Sequence, residues 1–195
     1  MKIQTMLLSA LAAVSVQAQS WTLDASHTSV EFAIKHLAVS TVKGQFDKFD
    51  GKVTGDPKTP AGLVADFTIQ ATSVNTKSDK RDEHLRSADF FDVAKFPTIT
   101  FKGEKTEVRG GKLFLLGTLT LHGITKKIEI PFEANGPVVD PWKNNRIGLE
   151  GAFTLKRADY GITSFVGVVG DEVKVDISAE FIQPAAAPAA APAAK

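Results

Sequence analysis

Apolar and polar residues alternate with a period of two along most of this chain, the spacing that sends successive side chains to opposite faces of a β-strand. Val30, Phe32, Ile34 and His36 share one parity, against Glu31, Ala33 and Lys35. Leu63, Ala65, Phe67, Ile69 and Ala71 alternate with Asp66, Thr68 and Gln70. Further rows run through Leu113, Leu115, Gly117, Leu119 and Leu121, and through Ile128, Ile130 and Phe132. Ile147, Leu149, Gly151, Phe153 and Leu155 form another, and Val173, Val175, Ile177, Ala179 and Phe181 close the series. Each strand so read has one apolar and one polar face, the pattern of an antiparallel sheet wet on one side. Gly55-Asp56-Pro57, Arg109-Gly110-Gly111, His122-Gly123 and Asn135-Gly136-Pro137 supply turns between them. Many such strands at short spacing predict an all-β sandwich or barrel.

Residues 78–91 break the alternation. They are rich in charge and in good helix formers, with Ser78 placed to cap and Asp79 and Asp82 in the first turn. Leu85, Ala88 and Phe91 recur at helical spacing. One short helix is expected here, laid across the barrel between two strands.

Both ends of the chain read as lying outside the fold. Lys2 followed by a short apolar run over residues 6–16, then Val16-Gln17-Ala18, has the composition of a secretory signal peptide cleaved after Ala18. The run is too short to span a bilayer. Residues 184–195 are an Ala/Pro repeat with little to bury, expected to form a disordered tail. One domain over residues 19–183 remains. The chain has no cysteine, so an exported domain would be held by its core without disulfides. Its formal net charge of +1 gives no electrostatic ground for a nucleic-acid partner or for a strong pull toward an anionic membrane.

Small residues interrupt the inward rows at Ala65, Ala71, Gly117, Gly151 and Ala179. Glycine inside a strand marks either the close approach of a ligand or a bulge in a filled barrel, and the pattern alone leaves both open. A closed barrel of about eight strands can hold one small ligand. His36 and Arg157 end apolar rows, where a barrel mouth would be. Arg157 is expected either to pair with a carboxylate such as Asp159 or Asp82, or to face the polar end of a ligand.

Longer motifs run through the same segments. His27-Thr28-Ser29-Val30-Glu31-Phe32, Gly44-Gln45-Phe46 and Phe49-Asp50-Gly51 come first. Ser73-Val74-Asn75-Thr76 then precedes Arg81-Asp82-Glu83-His84-Leu85-Arg86-Ser87-Ala88-Asp89-Phe90-Phe91 and Phe96-Pro97-Thr98-Ile99-Thr100-Phe101. Gly117-Thr118-Leu119-Thr120-Leu121-His122-Gly123, Asp140-Pro141-Trp142, Arg157-Ala158-Asp159-Tyr160-Gly161-Ile162 and Gly170-Asp171-Glu172-Val173 follow in order. Together they resemble the YceI-like family over essentially the whole domain. Lys143 after Trp142, where the family often has Gly, and the Ala/Pro tail depart from it. The resemblance implies an extended, lipocalin-like antiparallel barrel of about eight strands with an internal tunnel. It also implies a bound isoprenoid-type lipid, a polyprenyl quinone or polyprenyl phosphate, and a periplasmic or secreted location.

The expected function is therefore to carry or store such a lipid in an apolar interior, not to catalyse a reaction. The alternatives are a hydrolase or isomerase acting on a lipidic substrate, or a stress-related protein-interaction module. The four histidines show no i, i+4 pair of the kind a helical zinc site uses, so no metal and no cofactor beyond the lipid is expected. A homodimer is left open. The residues expected to contact the lipid are Phe32, Ile34, His36, Phe67, Ile69, Arg81, Asp82, His84, Leu115, Gly117, Leu119, Gly151, Phe153, Arg157 and Ile177. If the tail buries nothing, truncation after Gln183 leaves the thermal unfolding midpoint unchanged within error. A clear drop in a calorimetric scan would show that the tail docks on the barrel.

Overall fold

The computed structural model describes residues 19–184. The signal-peptide reading, and the tail apart from Pro184, lie outside the described residues. The alternating rows form ten strands: β1 Ser20–His36, β2 Ser40–Phe46, β3 Phe49–Thr54, β4 Val64–Gln70, β5 Val74–Asn75, β6 Thr98–Arg109, β7 Lys112–Leu121, β8 Ile124–Val139, β9 Asn145–Lys156 and β10 Val169–Gln183. They make one antiparallel sheet in the order β10-β9-β8-β7-β6-β4-β3-β1-β2-β5, and β1 also pairs with β10. That last ladder, from Thr22↔Ile182 to His36↔Val169, closes the sheet on itself. β2 and β3 share one position. β2 pairs with the end of β1 through Glu31↔Gln45 to His36↔Ser40, and β3 pairs with its start through Ser20↔Thr54 to Thr22↔Lys52. With the short β5 set aside, the wall is the expected closed antiparallel barrel of eight strand positions.

Opposite parities separate core from solvent along each strand. Val30, Ala65, Ile99, Phe101, Leu115, Leu119, Leu149 and Ala179 are buried, while Lys127, Glu129, Lys174 and Asp176 between such rows are exposed. One end of the barrel is filled solid. Trp21, Val53, Leu63, Ile147 and Phe181 pack there with at most 2% of their surface exposed. The Trp21 indole N–H donates to the Gly55 carbonyl at 3.3 Å.

The single α-helix among the described residues, α1, spans Asp79–Arg86, and its Leu85 reaches the interior. It is shorter than the expected 78–91. Ser87 leaves helical geometry at ψ 174°, and its N–H turns back to the His84 carbonyl. Ser78 sits at the N-cap position in extended conformation, but its hydroxyl makes no capping bond. The clamp comes instead from the segment before it. The Asp82 carboxylate accepts the Thr76 N–H at 2.9 Å and the Thr76 hydroxyl at 2.5 Å. Arg81 donates to the Thr76 hydroxyl and carbonyl, and Arg86 to the carbonyls of Thr72 and Val74. Ala88, read at helical spacing with Leu85 and Phe91, lies beyond the helix and is exposed, and Phe90 and Phe91 turn inward after it.

The two inward glycines differ in surroundings. A Cβ on Gly117 would strike the Lys102 carbonyl oxygen and lie 2.7 Å from the tip of the Phe101 ring. Gly117 is thus roofed by Phe101, and the space read as room for a ligand is already filled. A Cβ on Gly151 would meet Ile130 at 3.1 Å and no backbone closer than 3.3 Å. Gly117→Ala is expected to destabilise by about 1–3 kcal/mol through overpacking, and Gly151→Ala by less. Urea unfolding midpoints of the two variants measure the order.

Candidate functional site

Inside the wall the inward rows do not meet. They leave a cavity of about 190 Å³. It is lined by Val30, Phe32, Ile34, Phe46 and Phe67 on one side and by Leu115, Leu119, Ile130, Phe132 and Phe153 on the other. Leu85, Phe90 and Phe91 reach it from α1 and the turn that follows. Arg157 and Glu31 are its two charged neighbours. A cavity lined almost wholly by hydrocarbon gives water too few partners to stay, so it favours an apolar guest.

Nine of the expected contact residues other than Arg157 line this space: Phe32, Ile34, Phe67, Ile69, Leu115, Leu119, Gly151, Phe153 and Ile177. Gly117 does not, because Phe101 covers it. His36, at the end of its row, does not line it either. Arg81 and Asp82 are held by Thr76 and brace α1 instead of facing the interior. His84 is exposed, 2.9 Å from the Asp89 carboxylate, with its ring edge-on to Phe90 and Phe165. Several lining residues were missed. Ile128, Ile130, Phe132, Leu155, Val173 and Val175 sat in rows already recognised, and parity was signal enough to add them. Phe90 and Phe91 lie in a turn after the helix, where the helical spacing that Phe91 continues no longer sorts inside from outside.

Arg157 is the polar feature of the interior, with 5% of its surface exposed. Neither expected partner holds it. Asp159 faces the Lys126 ammonium at 3.6 Å, and Asp82 is engaged by Thr76. Its guanidinium donates instead to four carbonyls: Nε to Gly170 at 2.8 Å, Nη1 to Ile162 at 2.9 Å and Ser164 at 2.7 Å, and Nη2 to Val169 at 3.1 Å. Those carbonyls belong to the segment that leads from a tight turn, Arg157–Tyr160, into β10. Four of its five N–H donors are used, and one on Nη2 remains. Burial pushes the phenol of neighbouring Tyr160 upward, and the Asp159 carboxylate adds to the rise.

A second polar group lies on the outer face. Asp24, His27 and Glu180 approach within metal-binding distance of one another. The Arg146 guanidinium already stands between the carboxylates, 2.6 Å from Asp24 and 3.0 Å from Glu180, with Asp140 at 2.8 Å. The Ser26 hydroxyl, then Arg146, hold the Asp24 carboxyl well below the usual carboxylate range. An arginine charge in that place leaves a cation little to gain.

The barrel, its cavity and the braced helix have relatives. The YceI-like domain pattern matches residues 21–181. The chain belongs to the YceI-like family. A UPF0312 protein of Pseudomonas aeruginosa is 41% identical over 82% of this chain and 84% of its own length. The solved YceI protein of Campylobacter jejuni superposes with a TM-score of 0.68 at 30% identity, over 91% of this chain and 99% of that one. A Saccharophagus degradans domain described as polyisoprenoid binding superposes with a TM-score of 0.64 at 21% identity, over 84% of this chain and 98% of that one. Among the described residues of this YceI-like barrel, no helix is long and apolar enough to cross a membrane.

The arginine of the YceI-like barrel gives a sharp test. Arg157→Ala would strand four carbonyls that the loop can only partly rehydrate. Charged hydrogen bonds contribute about 1.5–3 kcal/mol each, so a loss of at least about 3 kcal/mol is expected. Arg157→Lys, with three donors on one nitrogen, recovers part of it. Thermal unfolding in the absence of added ligand measures both. An alanine variant as stable as the parent would show that these bonds add nothing to the fold.

Proposed function

We propose that this protein binds an isoprenoid-type lipid in its internal cavity and carries or stores it, without chemistry, in the periplasm or outside the cell. The observation that carries the reading is the cavity lining. Its residues offer neither a hydroxyl or thiol nucleophile nor a histidine base. Hydrocarbon surrounds the space, and the one buried charge at its edge is already committed to four carbonyls. The description of the Saccharophagus degradans domain as polyisoprenoid binding supports the same ligand class.

The physics favours a thin chain. Bulky drug-sized ligands occupy pockets of about 300–1,000 Å³, and this cavity has about 190 Å³. Each methylene taken from water into such a lining contributes roughly 0.8 kcal/mol, so affinity grows with the length inserted. The remaining Nη2 donor of Arg157 suits a quinone carbonyl or a phosphate oxygen at the polar end.

The test is organic extraction of the natively expressed protein followed by mass spectrometry. A prenyl quinone or prenyl phosphate near one per chain is the expected result. A lipid-free extract, together with failure of the purified protein to take up a prenyl quinone added in detergent, would refute the reading.

A further inference from the structure

The ladder between β8 and β9 stops part-way. Pairs run from Val139↔Asn145 to Phe132↔Gly151 and no further. From there β8 continues against β7 as far as Leu121↔Ile124, and β9 continues against β10 as far as Lys156↔Glu172. Past Lys156 the two sides meet again through side chains. The His122 ring Nδ1 donates to the Tyr160 carbonyl at 3.1 Å, and Lys126 faces Asp159 at 3.6 Å. The wall therefore contains a window closed at both ends, with residues 152–156 along one edge. Five residues of strand span roughly 16 Å.

What lies behind the window is the cavity. Ile128, Ile130 and Phe132 from β8 and Phe153 and Leu155 from β9 all line it. Their parity points them inward, yet all but Ile130 are only half-buried. The edges themselves are blunted. Unpaired strand edges invite other chains unless lysine or proline stands on them, and Lys127, Pro131 and Lys156 do so here, all exposed. Pro131 has no N–H, so one donor is missing where the ladder would continue.

Side chains cover the other places where the wall ends or breaks. The Trp21 cluster fills one end. At the opposite end Phe165 stacks on Phe90, ring centres 5.7 Å apart and planes 3° from parallel, over the turn that follows α1. The remaining break, between β2 and β4, is occupied by β5 and by Thr76, whose methyl would lie 2.8 Å from a Cβ on Gly44.

We propose that the window between β8 and β9 is a lateral portal, through which a prenyl chain slides sideways into and out of the cavity. This rests on the isoprenoid reading above. Missing ladder bonds make the portal cheap to widen, because no hydrogen bond between the strands has to break. Gly151, at its closed corner, leaves Ile130 free to swing aside.

The chain contains no cysteine, so an introduced pair reacts alone. Extending the Phe132↔Gly151 register sets Glu129 opposite Thr154, both outward and exposed. The doubly substituted Glu129→Cys, Thr154→Cys protein is bridged with a reducible bis-maleimide after loading with anthraniloyl-labelled geranylgeraniol. Release into phosphatidylcholine vesicles is followed by fluorescence. The bridge is expected to slow release at least about tenfold, equivalent to 1.4 kcal/mol of barrier, with recovery on reduction. A His84→Cys, Phe165→Cys bridge across the far opening is expected to leave the rate within about twofold. Unslowed release from the window-bridged protein, or a block only by the His84–Phe165 bridge, overturns the portal. An unbridged parent that takes up no labelled prenol overturns the lipid reading itself, and the two failures are thereby told apart.

Discussion

Everything in this molecule depends on the ladder that joins its first long strand to its last. An interior lined by phenylalanine and leucine gains free energy by collapsing, since each contact left unmade forfeits dispersion. The ten registered pairs between β1 and β10 prevent that, because they fix the circumference of the wall. Side chains of one row cannot reach those opposite without breaking backbone bonds around the ring. The cavity is thus a consequence of closure with too little side-chain volume inside, and Gly151 and Ala179 are among the places where that volume is withheld. The plug of Trp21 and Phe181 shows what the same wall does where large residues are supplied.

Much of this was legible in the chain. Period-two rows gave the barrel strands and their inward faces, because burial on one side of a pleated strand leaves no other pattern. Parity reports direction, however, and not what occupies the space it points to. Gly117 and Gly151 looked alike in sequence, yet Phe101 from the adjacent strand roofs the first, while the second meets the Ile130 side chain at 3.1 Å and still lines the cavity. Arg157 invited a search for a carboxylate, but its partners are backbone carbonyls, which carry no residue signature. The window was invisible for a similar reason, since an absent ladder leaves only indirect marks such as Pro131 and Lys156.

The densest motif proved to be carpentry. Thr76, Arg81, Asp82 and Arg86 come from the two adjoining motifs at residues 73–76 and 81–91. In space they fasten one helix to the segment at residues 72–76, and the helix in turn holds Leu85 against the cavity. Charge here sets the position of an apolar surface. That division of labour, polar groups for placement and hydrocarbon for contact, suits a ligand that offers little to hydrogen-bond.

Pairing of β1 with β10 also sets an order of events during synthesis. Thr22 and Ile182 are neighbours in the ladder although nearly the whole domain lies between them. Contacts so distant in sequence form slowly, since the entropy of closing the loop precedes any reward. Until β10 arrives, the nascent sheet has two open edges and an uncovered apolar face, the condition in which chains aggregate. A chaperone that shields the sheet until its last strand emerges would therefore matter more to the yield of this protein than any single contact in the finished barrel.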